Sequence, residues 1–283
     1  MQQLEKVSAL PYEQFVERYL KPGIPVILTD ASASWKSNTQ FTPAFFQEHF
    51  ADYSTTHDGT TYSMRDILEI TARSTPENPA PYPMLFEVPT QLPKLLEMLE
   101  PVHMHYSLPN WFGNKLMPYG RFGNSIHLFI GGRGNQYNLH QDMYHTNAWI
   151  TQLYGEKEFV LFPREQAELL YPIGLGFISP INILKPDYEK YPKYRAATPL
   201  RVVLKPGETI FIPNGIWHTT VAVGHNISLI FDQLNRYNYQ AWKKDMYDYP
   251  ASKSKLRGIV VSGIATALGT LCRLMEKSTS KSK

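Results

Sequence analysis

The strongest constraint on this chain lies between residues 124 and 231, where short β-type runs follow one another with turn residues between them. Ser125-Ile-His-Leu-Phe-Ile, Ala148-Trp-Ile-Thr-Gln-Leu-Tyr, Glu158-Phe-Val-Leu-Phe, Leu200-Arg-Val-Val-Leu, Thr209-Ile-Phe-Ile and Asn226-Ile-Ser-Leu-Ile-Phe all read as strands. A succession of that kind specifies a sandwich or a barrel. A Tyr/Pro-rich stretch, 171–199, separates the third run from the fourth and is long enough to be a functional loop or lid. Such β units reach about 200–250 residues as one domain. The 283 residues are therefore read as one large unit, 1–242, with an appended tail, 243–283.

Upstream, the pattern turns helical. Apolar residues at 12, 15, 16, 19 and 20 make a helical stripe that Lys21-Pro-Gly ends, and Ile24-Pro-Val-Ile-Leu is a brief strand. Thr42-Pro43 is a helix start, a hydroxyl ahead of a proline at the first helical position, and Ser63 caps another helix. The chain is 43% hydrophobic and 19% charged, which suits a packed globule and excludes a disordered one. One cysteine, Cys272, excludes a disulfide framework and any Cys-rich metal cluster. The N-terminal residues lack the basic-then-apolar signal pattern, so the expected location is cytoplasmic.

The net charge of +3 is unevenly divided. From Lys243 onward there are nine Lys/Arg against three acids, which leaves nineteen against twenty-two in the body. A basic body is the footprint of a nucleic-acid binder, and here it is missing, so nucleic acid is disfavoured as a partner. The tail holds fifteen uncharged residues between Arg257 and Arg273, short of the ~20 that span a bilayer. Val260, Ile264, Ala267, Leu268, Leu271 and Met275 recur at helical spacing, which predicts a C-terminal helix packed on the body or on a second copy, with membrane contact as the alternative.

The chain has no P-loop and no dinucleotide fingerprint. Gly131-Gly-Arg-Gly is glycine-rich but opens no helix, so it is not read as a phosphate cradle. What carries chemistry is His140-Gln-Asp142, followed by Trp217-His218, whose histidine stands 76 residues after Asp142. In an extended strand, residues two apart share a side, so His140 and Asp142 converge, and a histidine from a distant strand completes three ligands. Two histidines and one carboxylate on one face of an octahedral metal leave three positions open, as in non-haem Fe(II) oxygenases. His145, three residues after Asp142, is read as a neighbour of the metal or of substrate; His103 and His105 are read as a chance pair in a loop.

Pro206-Gly-Glu-Thr-Ile-Phe-Ile-Pro-Asn-Gly-Ile-Trp-His218 resembles the distal half of the metal site in JmjC-type, cupin-like Fe(II)/2-oxoglutarate-dependent oxygenases, and Leu128 to Asp142 resembles the proximal half. Phe15 to Asp30, with Trp35 after it, resembles the helix and strand that open this family. The resemblance implies a mainly β fold with helices: a double-stranded β-helix, or jelly roll, braced by N-terminal helices and followed by a C-terminal helix. It implies Fe(II) held by His140, Asp142 and His218, and 2-oxoglutarate anchored by Lys157 of Gly155-Glu-Lys157, with Tyr137 near the same carboxylate. Asn147, Asn226 and Ser228 are further candidates beside the cosubstrate; Ile230 stands where the family often has asparagine. The implied activity is hydroxylation of a protein or peptide side chain. A small metabolite, a modified tRNA base and a non-enzymatic cupin-like binding protein remain as alternatives. Relatives also dimerise through C-terminal helices, which a homodimer here would match.

Overall fold

A computed structural model describes residues 4–33, 35, 41–99 and 104–279. His103 lies outside the described residues. The first helix, α1 (Tyr12–Phe15), continues as a wider π-type turn over Val16–Leu20 and buries Phe15, Tyr19 and Leu20. Helix α2 (Pro43–Phe50) starts where Thr42 Oγ1 accepts from the Phe45 amide. Helix α3 (Met64–Ala72) starts at a reciprocal cap, Ser63 with Asp66. These short helices reach stability by burying one face against the sheet, as short helices must.

Strands β1 (Lys6–Val7), β2 (Val26–Leu28), β5 (Met84–Glu87), β6 (Ile126–Gly131), β7 (Asn147–Tyr154), β10 (Thr209–Ile212) and β12 (Asn226–Gln233) form one sheet in the order β1-β2-β10-β7-β12-β6-β5. Strands β8 (Lys157–Phe162), β9 (Leu200–Leu204) and β11 (Trp217–Ala222) form a second, in the order β11-β8-β9. A hairpin, β3 (Ser54–His57) with β4 (Thr60–Ser63), stands apart, and short helices α4 (Val88–Gln91) and α5 (Pro93–Met98) follow β5. Apart from the parallel β1–β2 pair, all these pairings are antiparallel. The two larger sheets form the expected jelly roll.

The period of two decides what each strand buries. Along β7, Ala148 and Ile150 point between the sheets and meet Phe159, Leu161 and Ile210, while Trp149 and Leu153 point outward to Phe15, Phe211 and the N-terminal helices. A third cluster lies on the outer face of the small sheet, where Ile181, Ile183 and Tyr194 of the long Tyr/Pro-rich loop cover Val160, Phe162 and Trp217. That loop is thus a packed cover on the barrel, pinned by Gln141, whose Nε2 donates to the Gly176 carbonyl. The glycine-rich turn after β6 is a packing device as well. A Cβ on Gly132 would lie 2.3 Å from the Thr71 carbonyl at the end of α3.

The C-terminal helices α6 (Tyr239–Ala251) and α7 (Lys255–Thr279) form an antiparallel hairpin. The 242/243 division falls inside α6, whose Tyr239, Trp242 and Met246 pack with Trp111 and Met117 of the body. Helix α7 differs from the sequence reading in its orientation. Of the predicted stripe, Leu268 packs inward with Val261, Ala265 and Cys272, while Val260, Ile264, Leu271 and Met275 are exposed. Small residues explain the choice: backbones approach closest where side chains are least. A Cβ on Gly269 would lie 2.1 Å from the Tyr239 ring. Gly269→Val is accordingly expected to cost about 1–3 kcal/mol by overpacking, read as a lower urea midpoint with an unchanged slope. By length and composition α7 also suffices to cross a membrane.

Candidate metal and cosubstrate site

The two histidines meet by backbone pairing. The segment before His140 runs antiparallel beside β11, and His140 and His218 exchange both ladder bonds, N to O at 2.9 and 2.7 Å. Such directly opposed residues carry their side chains on one face, and the rings stand 4.3 Å apart between centroids. Asp142 is not on a strand; it precedes the turn Met143–His145. Its Oδ1 lies 3.8 Å from His140 Nε2 and 4.0 Å from His218 Nε2. All three potential ligand atoms fall within 4.8 Å of one another.

The histidines are oriented alike. His140 Nδ1 is 2.8 Å from the Asn138 carbonyl and His218 Nδ1 is 3.1 Å from the Ile216 carbonyl, each two residues back. A carbonyl only accepts, so each Nδ1 carries the proton and each Nε2 presents a lone pair. Burial pushes both imidazoles down to about 4, His140 also through its neighbour His218, so both are neutral at neutral pH. Desolvation raises the Asp142 carboxyl. Two neutral nitrogen donors and one desolvated carboxylate are the donor set that a divalent cation satisfies.

The site opens into a cavity of about 420 Å³. Lys157, 3% exposed, lines it at the start of β8, and among the described residues no carboxylate pairs with it. Burial lowers its ammonium to about 7. Tyr137, Tyr82 and Thr220 line the same cavity. Tyr82 and Tyr137 meet edge to face at 6.2 Å, and burial raises both phenols. A buried cation without a protein carboxylate, in one cavity with three hydroxyls and a metal-ligand face, suits a dicarboxylate that also chelates the metal. Phe129, Ile150, Phe159 and Ile230 supply apolar walls, and Asn124, Glu87, His127 and Asp232 line the cavity as well. Asp232 accepts from Thr146 and Ser125 and is pushed up to about 7, first by burial and then by Asp142.

Three sequence candidates are placed elsewhere. Asn147 donates to Gln233 and accepts from the Asn214 amide, bracing the turn that leads to His218. Asn226 donates to the Gly131 and Gly224 carbonyls, and the Ser228 hydroxyl donates to Gln152. None of the three lines the cavity; each side chain is engaged by the bonds just given. His145 turns away to Asp245 of α6, and His105 packs on Tyr12. Thr220, two residues after His218, and Asp232, two after Ile230, were findable from the strand period alone; Tyr82 carries no such local signal.

Comparison with known proteins agrees with this geometry. A family model described as a cupin-like domain matches residues 61–231. The HSPB1-associated protein 1 of Homo sapiens is 34% identical over 129 residues, covering 41% of this chain and 26% of that protein. The arginine-specific demethylase JMJ20 of Arabidopsis thaliana is 24% identical over 297 residues, covering 91% of this chain and 63% of its own length. The lysine-specific demethylase 8 of Xenopus tropicalis is 28% identical over 110 residues, covering 38% of this chain and 24% of that protein. The match thus spans between about a quarter and two thirds of these relatives.

Proposed function

The chain belongs to the cupin-like, JmjC-type family, and from that premise we propose that it is an Fe(II)- and 2-oxoglutarate-dependent oxygenase acting on a C–H bond of a protein or peptide side chain. One observation carries the reading: His140, Asp142 and His218 present a three-ligand face in the same cavity as the buried, anion-free Lys157. When bound, the iron and 2-oxoglutarate supply the oxidising power, with O₂ consumed and succinate and CO₂ formed.

The chain's own groups do the rest. His140, Asp142 and His218 would hold the iron. Lys157 would hold the far carboxylate of 2-oxoglutarate by a charge-assisted bond, with the Tyr137 and Thr220 hydroxyls in the same cavity. The apolar walls keep water from the reacting centre, which protects a reactive intermediate from side reactions. Substrate would enter past Glu87 and Met143, both exposed at the cavity. Among the described residues the cavity lining holds no Lys or Arg besides Lys157; it offers the Asp232 and Glu87 carboxylates and Asn124, whose buried Oδ1 has no hydrogen-bond partner there. Such an acceptor-rich lining favours a basic side chain, and oxidation at an N-methyl group, as the names of the JMJ20 and demethylase 8 relatives would have it, is the second reading.

The test is turnover. Purified protein with Fe(II), ascorbate and 2-oxoglutarate is expected to release succinate slowly without substrate. Incubation with a lysate should yield peptides heavier by one oxygen atom, or formaldehyde where an N-methyl group is oxidised. A chain that neither binds Fe(II) nor forms succinate would sink the enzyme reading.

A further inference from the structure

The three metal ligands are not held equally. Each histidine has a backbone ladder bond and an Nδ1 bond to a carbonyl. Among the described residues, the Asp142 carboxylate accepts no hydrogen bond from the protein. Its aim is set by the backbone on either side. Upstream, Gln141 is tied to the covering loop through its amide to the Phe177 carbonyl and its Nε2 to the Gly176 carbonyl. Downstream the chain takes an unusual course, with Tyr144 at φ 61° and His145 at φ 47°. Two successive side-chain-bearing residues in the left-handed region persist only where their surroundings over-determine them.

Those surroundings are α6. Asp245, 5% exposed, places Oδ2 at 2.5 Å from His145 Nδ1. Asn238, which precedes α6, donates Nδ2 to the His145 carbonyl. Tyr144 packs with Phe122 and Trp242 and meets Tyr249 edge to face. Resting on the metal-site reading above, we propose that Asp245, acting through His145, is a positioning residue for the metal ligand Asp142. The C-terminal hairpin is then part of the metal site's construction. A carboxylate is the fitting partner: it accepts the Nδ1–H while its burial lets it make few other bonds, so the His145 ring has one preferred pose. That pose fixes the left-handed turn, and the turn fixes the direction in which Asp142 leaves the backbone.

Titration of the full-length apo protein with Co(II), followed by the visible absorption of the bound ion, tests this without turnover. Asp245→Ala and His145→Ala are each expected to weaken Co(II) binding by about tenfold or more, the range seen when outer partners of metal ligands are removed. The bound-ion spectrum should change in intensity as the carboxylate shifts. The double variant should bind no worse than either single one, because both remove one link. Asp245→Asn keeps an acceptor for the Nδ1–H and should stay close to the parent. Thr42→Ala, which uncaps the remote α2, should lower the unfolding midpoint and leave Co(II) affinity alone. Parent-like affinity in Asp245→Ala, losses that multiply in the double variant, or an equal loss in Thr42→Ala would each overturn the proposal. A parent chain that takes up no Co(II) overturns the metal reading itself, a different result from a parent that binds and variants that bind alike.

Discussion

His140→Ala is expected to release no succinate above background and to weaken Fe(II) binding by more than about 100-fold, beyond the range typical of outer-sphere changes. The change removes one of the three ligands that face the cavity. The paired backbone bonds to His218 do not involve the ring and stay. The fold should therefore survive, so the unfolding midpoint of the apo variant separates loss of the site from loss of the protein. Succinate release by a folded His140→Ala protein would refute the assignment of the metal ligands.

Lys157→Met should move binding and stability in opposite directions. A lone buried ammonium costs desolvation energy, visible as its fall to about 7, and methionine fills similar space without charge. The apo variant is expected to be as stable as the parent or more so. Breaking a buried, hydrogen-bonded ion pair costs about 3–5 kcal/mol. Affinity for 2-oxoglutarate should therefore drop by roughly two to four orders of magnitude. The pH dependence follows with a definite sign. The free-protein ammonium loses its proton as pH rises through about 7, whereas the bound dicarboxylate favours the charged form. Binding takes up a proton, so affinity should decline as pH rises above about 7, and Lys157→Met should lack that decline. Calorimetry at several pH values in buffers of different ionisation heat measures both. A methionine variant that binds 2-oxoglutarate like the parent would remove Lys157 from the cosubstrate site.

What could be read in the sequence was what depends on short-range chemistry. The strands from Ile126 to Gln233 alternate with turn residues, so their existence follows from period and punctuation. His140, Asp142 and His218 were legible because a close His-x-Asp pair and a turn-bounded histidine are unusual together. Asn147, Asn226 and Ser228 share a face or a motif position with ligand-binding residues, yet their amides and hydroxyl are consumed by the Gln233, Gly131, Gly224 and Gln152 bonds that hold the sheet. The hydrogen-bonded setting of Asp232 needed the fold, because it comes from Ser125 and Thr146 on other segments. Helix α7 shows the same limit differently. Apolar periodicity marks a face for burial, but backbone approach at Gly269 and Ala265 selected the adjacent face, which shares Leu268 with the predicted stripe, and small residues carry little weight in a hydrophobic pattern.

The direct backbone pairing of His140 with His218 would make a bound metal a clasp across a long stretch of chain. The segment between them holds β7, β8, the covering loop, β9 and β10. An ion bound to both imidazoles and to Asp142 would close that excursion into a ring, adding an inner tether to the two ladder bonds. Iron supply would then set how often this half of the barrel opens. In an iron-starved cell the same molecules would be the ones most readily cut by proteases within 171–199, and loss of metal would become loss of protein.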